Sequence, residues 1–205
     1  MEGRPVLMRA LLAFVLLAAL LPPPPIAASD RLTHDAFQAL LLESDLRIEQ
    51  RPNYVDIPIK ANPLLPYEHA IRHESGALEL RFIVRPLKRI SIEYIDPHNA
   101  APEPNHLFPL LFESITNQLA VDSNAPSSVF SESEARQNFN AHWAAISVFD
   151  IDPGYSGGYR NGLLVAMHKN ELADAYTLFL YDDYSFAKPL INEALSIMSF
   201  NPETQ

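Results

Sequence analysis

The chain has 205 residues, a net charge of −10, a hydrophobic share of 48% and no cysteine. It can therefore bury a substantial core, and a disulfide, a thiolate metal site and a cysteine nucleophile are excluded. So many carboxylates repel phosphate backbones and anionic lipid, which argues against nucleic acid as a partner.

The first segment has the pattern of a secretory leader. Arg4 and Arg9 precede the apolar run Ala10–Leu21, and Ala27, Ala28 and Ser29 supply the small residues that a signal peptidase requires. Twelve apolar residues are too few for a spanning helix, which needs roughly 18 or more. Pro22–Pro25 then stops any helix. Cleavage after Ser29 is expected, leaving Asp30 as the mature N-terminus, no transmembrane segment in the mature chain, and a slightly more acidic protein. Without cysteine or an Asn-x-Ser/Thr glycosylation acceptor, the exported chain suits a bacterial periplasm.

From residue 30 to 205 a single α+β domain is expected. Thr33 is placed to cap a helix whose Phe37, Leu40, Leu41 and Ser44 share one face. Prolines 52, 58, 63 and 66 make the following stretch extended, so that 30–66 is a helix plus a wrapping segment. From Glu68 the period changes to two. Glu68–His73, Leu78–Arg85 and Ile90–Ile95 read as an antiparallel meander, with turns at Glu74–Gly76 and Pro86–Arg89. Glu79, Arg81, Arg85 and Glu93 fall on its more polar face, where cross-strand ion pairs are expected.

Phe108, Leu111, Phe112, Ile115 and Leu119 make one stripe of a helix over 107–121. Ser131-Glu132-Ser133-Glu134 is a capping box opening a short helix to about Phe139. Strands are expected over Trp143–Ile151, Leu163–Lys169 and Ala173–Tyr181. The last is apolar at both parities, so it must be covered on both faces. Trp143 is expected in the core. Ser185 is placed to cap a closing helix carrying Phe186, Leu190, Ala194, Leu195 and Met198, ended by Asn201-Pro202. Over 67–205 the order gives a central, mainly antiparallel sheet flanked by helices, an α/β/α sandwich.

Gly154-Tyr155-Ser156-Gly157-Gly158 satisfies the G-x-S-x-G pattern of a hydrolase nucleophile elbow, but that motif needs a strand before it and a helix after it. Here strand-like Leu163–Met167 follows, and no acid separates Ser156 from the only later histidine, His168. A metal or His/Asp catalytic cluster would draw on His98, His106, His142 and His168 with Asp150, Asp152, Asp182 and Asp183. None of these has the close ligand spacing of a zinc site. His69 and His73 have an i, i+4 spacing, but on a strand this leaves them well apart. Asp150-Ile151-Asp152-Pro153-Gly154 lacks the later oxygens of a calcium loop and reads as a turn. No catalytic residue, metal ligand or cofactor is assigned. The expected contact surface is the Asp150–Gly162 loop, with Tyr155, Ser156, Tyr159 and Arg160 as binding residues for an envelope protein or small ligand. The rival expectation is a secreted hydrolase using Ser156 or the His/Asp cluster.

Tyr176-Thr177-Leu178-Phe179-Leu180-Tyr181, followed by a short link and a helix ending Ile197-Met198-Ser199-Phe200, resembles the C-terminal end of the PsbP-like α/β/α sandwich families. The resemblance implies an accessory, assembly or envelope protein without a catalytic centre.

Overall fold

Every residue from Ala173 to Tyr181 is buried, and this strand organises the molecule. In the computed structural model, residues 26–62, 65–90, 104–122 and 125–202 are described. The chain divides after Leu32. Of the first unit the described part is helical backbone, and all that follows concerns residues 33–205.

The elements are α1 (Ile26–Glu43), β1 (Leu46–Ile48), β2 (Tyr54–Asp56), β3 (His69–His73), β4 (Glu79–Pro86), α2 (Phe108–Leu119), β5 (Ser127–Val129), α3 (Glu132–Phe139), β6 (Trp143–Asp150), the one-turn α4 (Pro153–Ser156), β7 (Asn161–Lys169), β8 (Ala173–Tyr181), α5 (Tyr184–Ala194) and β9 (Met198–Phe200). Seven strands form one antiparallel sheet in the order β2-β3-β4-β8-β7-β6-β5, and β1 pairs with β9 in a separate ribbon.

Alternation along the strands sorts side chains to two faces. One face carries Leu80, Phe82, Leu163, Val165 and Phe179 beneath Phe37, Leu40 and Leu41 of α1, Phe139 of α3 and Ile191 of α5. The other carries Ile83, Leu164, Tyr176, Leu178 and Leu180 beneath Phe112 and Leu119 of α2, Tyr155 of α4 and the extended residues Leu65 and Tyr67. The sheet thus separates two apolar layers, as the two-sided pattern of β8 required.

The capping box forms as expected. Ser131 Oγ accepts from the Glu134 amide and the Glu134 carboxylate accepts from the Ser131 amide, which satisfies two of the donors left open at the start of α3. Four other expectations are corrected. Helical backbone begins at Ile26, so Thr33 lies inside α1 and not at its N-terminus; Ala27 and Ala28 are strong helix formers. Ile90 closes a 3-10 turn over Leu87–Arg89 instead of starting a strand, while 91–95, with Glu93, lie outside the described residues. The two edges of β4 are taken by β3 and β8. The closing helix is capped by Asp183, not Ser185, and stops at Ala194, with Phe186 exposed and Ala187 and Ile191 turned inward. Met198–Phe200 is a strand; a short apolar run has no period of its own, and pairing with β1 from the other end of the chain decides its conformation.

Candidate functional site

The Asp150–Gly162 segment is built onto the sheet from inside. Asp152 accepts from the Gly154 amide at 2.6 Å and caps α4, whose end falls at Gly157 with φ +73°, a conformation that favours glycine. Gly162 faces a second constraint, since a Cβ there would lie 2.8 Å from the Phe149 ring. Beneath the segment, the buried Arg81 of β4 donates to the carbonyls of Tyr155 (2.8 Å) and Ser156 (3.0 Å). Its guanidinium lies 4.9 Å from the Tyr67 ring centre and 5.2 Å from that of Tyr155. The Glu79 carboxylate accepts from Arg81 at 2.9 Å and from Arg72, its cross-strand neighbour on β3, at 2.8 Å. Of the residues expected to pair on this face, Glu79 and Arg81 pair along β4 under cover, Glu79 also pairs across strands with the partly exposed Arg72, and Arg85 pairs with Glu68.

This framework fixes where the four expected contact residues point. Tyr155 is 2% exposed; its hydroxyl donates to the Leu65 carbonyl at 3.1 Å, and burial pushes its phenol up to about 12. Ser156 is equally buried. Its Oγ donates to the Tyr159 carbonyl at 2.7 Å and accepts from the Gly158 amide at 3.2 Å. Tyr159 is half-buried beside Arg72 and Glu79, and desolvation raises its phenol pKa. Arg160 is exposed, with its amide on the Asp182 carboxylate at 3.0 Å. Tyr159 and Arg160 border a shallow groove of about 450 Å³ with Val121, Pro153 and Asp182. Among the described residues no histidine is hydrogen-bonded to Ser156, the contact that would activate a serine nucleophile.

Among the described residues the rival His/Asp cluster does not assemble. Asp150 pairs with Asn161 at one end of β7, whereas His168 pairs with Trp143 at the other. Seven residues of strand separate the two ends, about 23 Å at roughly 3.3 Å per residue. His168 instead meets the Asp174 carboxylate at 2.7 Å and Asn170 at 3.0 Å, under the Phe108 ring stacked 4.0 Å away. Trp143, expected in the core, is only partly buried and packs against Phe108 and Phe112 at the margin of the apolar layer. His142 accepts from the Asn170 amide, and His98 lies outside the described residues. Among the described residues no three of His, Asp and Glu are placed to hold a metal ion.

A cleft of about 570 Å³ was not foreseen. It opens between α1 and the edge formed by β1, β2 and β3, with Phe37, Leu41, Leu46 and Ile71 as its apolar floor. Polar groups converge on it: Arg47, Arg51 with Glu49 at 2.8 Å, and His69 with Asp56 at 3.2 Å. The sequence held one signal, a histidine sharing the apolar face of a strand with Ile71. The cleft itself depends on two three-residue strands whose partners only the fold supplies.

His69 lies between the rings of Phe37, 4.7 Å away, and Phe82, 5.9 Å away. Burial moves its pKa below the usual 6.5, against the pull of the Asp56 carboxylate, and His34 adds to the lowering. The unfolded chain then binds this proton more tightly than the folded one, so acidification through the unfolded value costs stability. Between about pH 7 and pH 5 the urea midpoint of the natural chain is expected to fall more steeply than that of His69→Gln. Parallel slopes would contradict this.

No protein-family model and no curated protein matches the chain. Among solved structures it is similar to the solution structure of cyanobacterial PsbP from Synechocystis, at 11% identity and a TM-score of 0.42, over 77% of this chain and 88% of that one. At this identity the likeness concerns the fold alone. A mixed α+β fold with a seven-stranded antiparallel sheet is the class of structure to which the chain belongs.

Proposed function

We propose that the chain is an exported accessory protein of the bacterial envelope that binds a small ligand without transforming it. Its leader ends at Ser29, and residues 30–205 form the mature domain. The observation that carries this reading is the cleft beside α1, whose volume and apolar floor suit a small molecule and whose few polar groups can orient one. Two groups that a hydrolase would recruit are engaged elsewhere: Ser156 with its own loop, and His168 with Asp174 and Asn170 under Phe108.

A second reading, partner binding at Tyr159 and Arg160, is supported by the Arg81 framework. It holds the backbone behind that groove in one conformation and so lowers the cost of ordering it on contact. Titration of the 15N-labelled full chain with indole, cyclohexanol and benzoate distinguishes the two sites. Ligand binding in the cleft predicts amide shifts over residues 34–56 and 69–71. Shifts confined to 158–161 and 182 would favour the groove, and shifts at neither would count against both.

A further inference from the structure

We propose that the cleft selects an amphiphilic anion, an elongated apolar body ending in one carboxylate-like group. This rests on the reading that the cleft is a ligand site, and it adds the chemistry of the ligand.

The shape comes from α1. His34, Phe37, Leu41 and Leu42 line the cleft along one side of the helix, and the eight steps from His34 to Leu42 span about 12 Å at 1.5 Å each. Leu46 of β1 and Ile71 of β3 continue the same apolar floor, so the surface suits a body that lies along the helix.

The charge comes from an imbalance among the polar groups. Glu49 is held by Arg51, and Asp56 accepts from His69. Arg47 has no such match. Its Nε donates to the Ser199 hydroxyl at 3.2 Å, and among the described residues it forms no ion pair with any carboxylate. In a chain with net charge −10, an arginine left without a carboxylate beside an apolar floor is a charge available to a ligand. A guanidinium presents parallel N–H donors whose spacing fits two oxygens of a carboxylate. An apolar cation would meet only carboxylates that already have partners, and a neutral body would leave Arg47 unused.

The test compares decanoate, decanol and decyltrimethylammonium, each below its micelle concentration, by isothermal titration calorimetry on the full chain. Decanoate is expected to bind at least about tenfold more tightly than decanol, in keeping with a charge-assisted contact. Arg47→Gln is expected to erase that advantage while leaving decanol binding unchanged and moving the urea midpoint little, since Arg47 is exposed apart from its bond to the Ser199 hydroxyl. The inference is overturned if the cation binds as tightly as decanoate or if Arg47→Gln leaves decanoate affinity intact. Binding of decanol and the cation without decanoate would overturn the anion while keeping the cleft as a ligand site. Binding of none of the three would overturn the inference, and the separate amide-shift titration decides the fate of the cleft.

Discussion

Replacing Arg81 by methionine is expected to destabilise the fold by about 3–5 kcal/mol, the usual cost of breaking a buried ion pair by removing one partner. The side chains of Arg81 and Glu79 are 3% and 4% exposed, so neither can turn to water when the other is lost. Arg72 would remain on Glu79, but it is 40% exposed and supplies only one of the two bonds the carboxylate accepts. The carbonyls of Tyr155 and Ser156 would also lose their donors. Lysine is no substitute, because one ammonium lacks the planar fork that serves Glu79 and both carbonyls together. Removing both charges, as Glu79→Leu with Arg81→Met, is expected to recover part of the loss. Urea denaturation of the three variants measures these differences, and a loss under about 1 kcal/mol for Arg81→Met would contradict the account, since that is the range of exposed pairs.

The second large effect comes from adjacent residues of β8. Leu178 and Phe179 point to opposite faces, and both are completely buried. Leu178→Ala is expected to cost about 2–5 kcal/mol and Phe179→Ala about 3–5 kcal/mol, through lost apolar transfer and the cavity left behind. A sheet with one face in water would respond at only one of the two positions. Denaturant unfolding with an unchanged slope is the measurement, and a cost under about 1 kcal/mol at either residue would mean that its face is not sealed.

Local signals in the sequence were sufficient where one element specifies itself. The capping box of α3, the stripe Phe37-Leu40-Leu41-Ser44 and the two-sided apolar pattern of β8 all have the same form in the structure as in the sequence. They failed where pairing decides. β1, β2 and β9 are three residues each, and what makes them strands is a partner distant in sequence or, for β2, the wrapping chain meeting β3. The expected contact residues divide along a similar line. Tyr155 looked like a surface aromatic because its neighbours are glycines and a serine, yet the Arg81 guanidinium on β4 draws its backbone and ring inward. Tyr159 and Arg160 follow the turn beyond Gly157 and Gly158 and reach the groove. The cleft was least visible, because no single segment of chain contains enough of it to leave a pattern.

Both the cleft and the locked interior depend on a sheet covered on its two faces. Native-state hydrogen exchange of the full chain tests that most directly, since amides that open only on global unfolding mark the sealed core. The account predicts that the amides of β4, β7 and β8 exchange last and together, after those of the edge strands β2 and β5. Exchange of β8 as early as the edges would contradict it.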